Sequence, residues 1–345
     1  MIELIKKLSG MRAVSGSEYR INSEIREMLL PYCDEVKIDS LGNVIGVKKC
    51  GKPDAKKLLI EAHTDEIGLM VKNIDENGFI TVVAVGGVDA RILPAMEVMI
   101  HAKRDIKGVI AAKPPHIMSS GEEEKAVKMA DIVVDTGLAA EEAKKLVSVG
   151  DTITFCVEPK ELADGQLTGK SLDDRASVAV LIDVMKKINK KPLGVDLYVV
   201  AAVQEEVGGY GAITAAYQTA PDAAIAIDVC HGITPDNSYS AYEVGGGAVI
   251  TCGPNIHPAV FDALKTSAES GKIKYQIDAD GGNTGTDAWQ IQVVRDGIPT
   301  GLLSIPLKYM HTPVETVSVA DAEAVRDLII GFAAGLTGEE EWLCL

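Results

Sequence analysis

Near-continuous apolar strands most limit what this chain can fold into. "KKLLIEAHTDEIGLMV", "VDLYVVAAVQ", "AAIAIDV" and "IPTGLLSIP" hold long stretches with few polar residues. A strand with one wet face alternates apolar and polar side chains; one that reads apolar throughout is covered on both faces. The covers lie between the runs. "RASVAVLIDVMKKI", "GAITAAYQTA" and "AVFDALKTSAESG" have helical spacing, and "SVADAEAVRDLIIGFAAGL" closes the pattern as a helix N-capped near Ser318. Strands alternating with helices predict an α/β fold, its sheet covered by helices on both faces.

The beginning of the chain fits this scheme. An amphipathic helix ends at Gly10, a second follows with Ser17 as its N-cap, and "EVKIDSLGNVIGVKK" is a hairpin. From about residue 67 to 163 the texture changes. Short runs such as "GLMVKNI", "FITVVAV", "EVMIHA", "IKGVIAA" and "DTITFCV" are separated by glycine and Asp/Asn turns. Their even spacing predicts a small β-barrel or sandwich. "AAEEAKKLVSV" is one helix there, and "PPHIMSSGEEEKAVKMAD" is expected to be a mobile loop whose "GEEEK" run is a solvated set of charges. The expected organisation is an α/β domain, residues 1–66 and 164–345, interrupted by a β domain, residues 67–163.

Composition removes several classes of function. Fifty acidic residues against 34 basic ones give a formal net charge of −16. That argues against nucleic acid and anionic membranes, which both reward clustered Lys and Arg. None of the six cysteines forms a C-x-x-C pair, so a thiolate zinc site is not expected, and the scatter fits a reducing compartment. No signal peptide is visible, and no apolar run reaches the roughly 20 residues of a membrane helix. The chain is expected to work in the cytoplasm.

Acids and histidines recur at the ends of the apolar runs. His63 and Asp65 follow "LLIEA", Asp173 and Asp174 precede a helix in "GKSLDDRAS", Glu205 and Glu206 end "LYVVAAVQEE", Asp228 ends "AAIAID", and His311 lies in "LKYMHTPVE". In an open α/β sheet, strand ends converge on a crevice that binds ligands. Taken singly, each signal has a bland reading: a solvated strand end for Glu-Glu, a helix N-cap for Asp-Asp. Taken together, so many unpaired carboxylates would repel and be costly to desolvate. Divalent cations resolve this, and mixed histidine and carboxylate donors suit zinc, cobalt or manganese. His101, His116, His231 and His257 read as structural or surface residues, with His231 the best further ligand because it closely follows Asp228.

The motifs "AHTDEIGLMV", "VGGVDARILPAM", "GKSLDDRAS", "VQEEVGGYGA", "AIDV", "GTDA" and "YMHTPVET" occur in the order found in the M42 metallo-aminopeptidases, which the chain resembles over nearly its whole length. The resemblance implies a zinc-peptidase-like α/β domain, an inserted β-barrel that helps oligomerise, peptide substrates and a homododecamer. It implies two divalent ions, zinc or cobalt, with His63 and Asp228 on one, Glu206 and His311 on the other, and Asp173 bridging. Glu205 would be the general base and acid acting on a metal-bridging water, and Asp65 would orient His63. Thr286 and Asp287 would line the substrate pocket, Arg91 would serve assembly, and the Asp173–Asp174 peptide would be cis. "VGGYGA" departs from the "VGLRGA" of many members. The alternative from another class is a glycoside hydrolase using paired carboxylates. That reading leaves the histidines without a role and finds only two tryptophans, Trp289 and Trp342, to form sugar platforms.

Overall fold

The computed structural model describes residues 1–118 and 126–342. The "GEEEK" run and Cys344 lie outside the described residues. The helices are α1 (Ile2–Ser9), α2 (Asn22–Leu29), α3 (Ala140–Leu146), α4 (Leu172–Ile188), α5 (Tyr210–Thr219), α6 (Pro258–Gly271), α7 (Asp287–Ile291) and α8 (Val319–Gly335). Strands β1 (Glu35–Ile38), β2 (Val44–Lys48) and β3 (Lys57–His63) precede a group of six: β4 (Gly68–Ile74), β5 (Ile80–Val85), β6 (Glu97–His101), β7 (Asp105–Ile110), β8 (Val133–Asp135) and β9 (Thr152–Phe155). Then come β10 (Lys160–Glu161), β11 (Gln166–Gly169), β12 (Asp196–Ala202), β13 (Ala223–His231), β14 (Ala248–Cys252), β15 (Tyr275–Ala279), β16 (Thr300–Lys308) and β17 (Glu315–Ser318).

One large sheet runs β1-β2-β12-β3-β13-β16-β17-β11-β10, with β14 and β15 joined through β16. Its centre is parallel: β12 and β13 both pair with β3, and β13 pairs with β16. Alternate residues of these strands serve opposite faces. Leu58, Ile60, Leu197, Val199, Ile225, Ile227, Leu303 and Ile305 pack with α1, α2, α4, α6 and α8. Leu59, Val200, Ala202, Ala224, Ala226 and Leu302 pack with α5 and α7. This is the two-sided cover that the apolar runs predict, and each fully buried Leu or Ile contributes roughly 1.5–3 kcal/mol.

The six strands β4 to β9 close into a barrel in the order β4-β5-β8-β7-β6-β9. Its filling includes Leu69, Val71, Ile80, Val98, Ile100, Ile153 and Phe155. Closure, which removes sheet edges, decides between the barrel and sandwich expectations.

Several local expectations change. "KKLLIEAHTDEIGLMV" is two strands, because the chain leaves the large sheet after His63 and enters the barrel at Gly68. Ser17 is not a side-chain cap; its hydroxyl donates to Val14 O, and α2 starts only at Asn22. Ser318 holds the N-cap position of α8 without a side-chain capping bond. The weakly patterned strands β8, β14, β15 and β17 are recognisable only from their pairing. Among the described residues no helix is long and apolar enough to cross a membrane. The five described cysteines are free.

A buried ion network joins the N-terminal segment to the entry of α4. Glu66 accepts from Ala13 N at 2.8 Å, Lys170 Nζ at 2.7 Å, Arg175 Nη2 at 3.3 Å, and the Ser171 hydroxyl. Arg175 also donates to Thr64 O and Met11 O. Glu66, Lys170 and Arg175 are each at most 2 % exposed. Burial works against the Glu66 charge, but Lys170 and Arg175 outweigh it and hold its carboxyl down at about 2. Removing one partner of such a network leaves an uncompensated buried charge. Glu66→Gln should therefore cost about 3–5 kcal/mol in urea denaturation; a loss under about 1 kcal/mol, typical of a surface pair, would show that the network is solvated.

Candidate metal centre

Parallel pairing places the C-terminal ends of β3, β12, β13 and β16 at one edge of the sheet. Register puts His63 opposite Ala202, three residues before Glu205, and Asp228 opposite Ser304. His311 follows β16 on a turn where Tyr309 and His311 have φ of 61° and 59°. Asp173 and Asp174 enter from the start of α4 through a cis peptide bond, as the resemblance implies.

Asp173 lies between the two histidines. Its Oδ1 is 3.2 Å from His63 Nε2, and its Oδ2 is 3.4 Å from His311 Nε2. His311 Nε2 is also 3.4 Å from Glu206 Oε2. Glu205 Oε2 stands 3.8 Å from His63 Nε2. Two sets of donor atoms lie within 4.8 Å of one another: His63, Asp173 and Glu206, and His63, Asp174 and Asp228.

The far side of each imidazole is also engaged. Asp65 Oδ1 is 3.4 Å from His63 Nδ1, a charge contact rather than an aligned hydrogen bond. The same carboxylate accepts from Glu205 N at 3.1 Å, Glu206 N at 3.2 Å and Ser15 Oγ at 2.5 Å. One buried group thus touches a histidine and holds the backbone of the neighbouring acid pair. His311 Nδ1 contacts Gly87 O at 3.2 Å, from the loop between β5 and β6 of the barrel. A Cβ on Gly87 would fall 2.6 Å from that nitrogen, so only glycine lets the loop come this close.

Glu315 is a further contributor that sequence reasoning missed. It is 2 % exposed and accepts from Leu172 N, Asp173 N and His311 N. Burial and the Asp173 charge push its carboxyl up, and the amides pull the other way. Asp174, counted among the strand-end acids but given no ion, is also a potential donor: Oδ2 accepts from His63 N at 3.3 Å, while Oδ1 is buried without a partner. An Asp-Asp pair before a helix carries too common a capping signal to separate these roles.

The centre floors a cleft of about 820 Å³ whose lining includes Glu205, Asp228, Tyr242, Asp278 and Thr286. No Lys or Arg lines it among the described residues. Thr286 lies in the lining, but Asp287 lies below it against Glu61. His231 reaches the lining without joining either donor set. His101 sits in the barrel, bonded to Asp105 and Thr154.

Burial dominates the electrostatics. It pushes Glu205 up to about 9, partly opposed by His63 and reinforced by Asp228. It pushes Asp228 up to about 7, with Asp173 adding to the shift. Glu206 and Asp174 are raised for the same reason, next to Asp173 and Asp228 respectively. Burial opposes ionised Asp173, but His311 and His63 prevail and hold it low. Burial likewise opposes a charged His63, and Asp173 with Asp65 outweighs it. Several crowded carboxyls, two imidazoles and unpartnered buried oxygens form a donor set that fits divalent cations.

A family model described as M42 glutamyl aminopeptidase matches residues 42–328. A putative aminopeptidase of Acetivibrio thermocellus is 38 % identical, covering 96 % of this chain and 97 % of that one. The aminopeptidase structure from Desulfurococcus kamchatkensis superposes with a TM-score of 0.90 at 37 % identity, over 98 % of this chain and 95 % of that one. The TET1 peptidase of Pyrococcus horikoshii, which can assemble into a tetrahedron or a large octahedral shell, gives a TM-score of 0.86 at 32 % identity, over 97 % and 99 % of the two chains. Fold and relatives define the class: the protein is a peptidase, a hydrolase of peptide bonds. Since the family model spans most of its length, the chain belongs to the M42 peptidase family.

The crowding has a consequence for stability. Without cations, folded Glu205 and Asp228 keep protons up to about 9 and 7, whereas the ordinary values are 4.5 and 3.8. Between those limits the folded state binds more protons, so stability falls as pH rises. His63, held above its ordinary value, acts in the same direction. The thermal midpoint of chelator-treated protein should drop between about pH 5 and pH 8.5. Added Zn²⁺ or Co²⁺ should raise it more at the higher pH, because cations compete with protons for these ligands. A cation shift equal at both pH values would contradict this account of the centre.

Proposed function

We propose that the chain is a dinuclear metal-dependent aminopeptidase, with His63 and Asp228 holding one ion, Glu206 and His311 the other, and Asp173 between them. The observation that carries this reading is the seat of Asp173, one oxygen 3.2 Å from His63 and the other 3.4 Å from His311. When bound, divalent ions at such a centre supply Lewis-acid polarisation of the scissile carbonyl and lower the pKa of the attacking water. Glu205 is the proton carrier. Its side chain is 16 % exposed at the cleft, and Asp65 fixes its backbone amide. It takes the proton from water and delivers it to the leaving amine. Asp65 orients His63, and Gly87 O orients His311.

The cleft favours an N-terminal substrate end. Its acids suit an amine or ammonium, and the described lining has no Lys or Arg to hold a terminal carboxylate. Thr286, in the lining, is our candidate for substrate contact, and Asp287 is buried next to it in sequence. A paired-carboxylate glycoside hydrolase is less suited to this cleft, in which Tyr242 is the single Phe, Tyr or Trp of the described lining. We further infer that residues 67–163 act as an inserted assembly domain of a homododecamer, by analogy with the TET1 assemblies. The barrel exposes Phe79, Val83 and Val109, and the Arg91 side chain, between β5 and β6, is 75 % exposed.

One assay tests the chemistry. The intact enzyme should hydrolyse aminoacyl-anilides that have a free amine and spare their N-acetylated forms. Glu205→Gln should keep metal content and lose about 10²-fold or more in kcat. Glu206→Gln should lose metal and recover partly with excess Zn²⁺ or Co²⁺. If Glu205→Gln lost the metal and Glu206→Gln kept it, the two roles would be exchanged; full activity in both would end the metallopeptidase reading. For the assembly, sedimentation of the metal-loaded protein should give a twelve-subunit particle, and a monomer at micromolar concentration would rule it out.

A further inference from the structure

The start of α4 is not regular helix: Asp173 (φ −74°, ψ 105°) and Asp174 (φ −117°, ψ 27°) depart from helical values. Ser171, at its N-cap position, has φ of 57° and makes no side-chain capping bond; its hydroxyl goes to Glu66 instead. Backbone amides of this buried, irregular segment need acceptors from elsewhere. Here the acceptor is remote in sequence. Glu315 Oε2, on β17, takes Leu172 N at 2.7 Å and Asp173 N at 3.1 Å.

The other oxygen of the same carboxylate serves a different segment. Glu315 Oε1 takes His311 N at 3.0 Å. His311 has φ of 59°, a conformation that a residue with a Cβ keeps only where its surroundings hold it. One rigid group therefore fixes the backbone of Asp173 and of His311, whose side chains meet at 3.4 Å.

We propose that Glu315 is a positioning residue: it sets the separation of the Asp173 carboxylate from the His311 imidazole and thereby shapes the second cation position. The proposal rests on the dinuclear reading above. Only a carboxylate does this. A glutamine offers one acceptor oxygen, and its NH₂ would face the amides on the other side. An aspartate keeps both acceptor oxygens but is one methylene too short to reach both segments.

The test is a titration of chelator-stripped, full-length protein with Co²⁺ alone, followed by calorimetry and by the visible spectrum. Wild type should bind two equivalents. Glu315→Gln should keep its circular dichroism spectrum and assembly state, bind one equivalent as before, and bind the second about 10–100-fold more weakly, the usual effect of losing a group that orients a ligand. Activity at limiting Co²⁺ should fall and return with excess. If that variant does not fold, Glu315→Asp should show the same selective loss of one equivalent. A purely structural role would lower the thermal midpoint and leave both affinities intact; two wild-type affinities in a folded variant overturn the proposal. Failure of wild type to bind two equivalents would instead overturn the dinuclear reading itself.

Discussion

Buried negative charge is the constraint on which this structure depends. Asp173, Asp174, Glu206, Asp228 and Asp287 converge under one cleft, each largely removed from water. Ionised carboxylates in such a place repel and lose hydration that only protons or cations can replace. The raised Glu205 and Asp228 are the proton form of that compensation. The seat of Asp173 between His63 and His311 prepares the other form. On the proposed reading, such a centre gathers its charge before substrate arrives, which leaves little reorganisation for the reaction.

Holding such groups close together requires acceptors and donors that do not move. Three buried carboxylates take that role. Asp65 binds the amides of Glu205 and Glu206, Glu315 those of Leu172, Asp173 and His311, and Glu66 gathers Ala13 N with Lys170 and Arg175. The chain around them is conformationally costly. Ser171, Gln204, Tyr309 and His311 all have positive φ and lie within a few residues of proposed ligands. Strain persists where packing and hydrogen bonds over-determine it; here Glu66 holds the Ser171 hydroxyl, Glu18 the Gln204 amide and Glu315 the His311 amide.

The barrel is part of the centre as well as an appendage to it. Gly86 and Gly87 bring its β5–β6 loop against Glu206 and His311, where added Cβ atoms would come within 3.3 Å of Glu206 Oε2 and 2.6 Å of His311 Nδ1. The departure "VGGYGA" has a local account of the same kind. Gly209 has φ of 71°, and a Cβ there would lie 2.7 Å from Asp287 Oδ1. A larger residue would have to move the segment that carries Thr286.

The two-sided sheet, its helices and the change to short strands near residue 67 were legible in the sequence, because apolar periodicity reports burial directly. The residue types at the strand ends were legible too, since acids following apolar runs such as "VVAAVQEE" and "AAIAIDV" stand out against their surroundings. Strands β8, β14, β15 and β17 were not, because they are short or weakly patterned and form through distant pairing. Nor were Gly87, Glu315 and the support given by Asp65 to the Glu205–Glu206 backbone, since nothing local distinguishes a glycine in a turn or an acid near a strand end. The sequence by itself determined which layers form and which chemistry the strand ends can offer. Only the tertiary structure decided which acid meets which histidine, because those contacts depend on the parallel register of β3, β12, β13 and β16 and on hydrogen bonds between segments far apart in the chain.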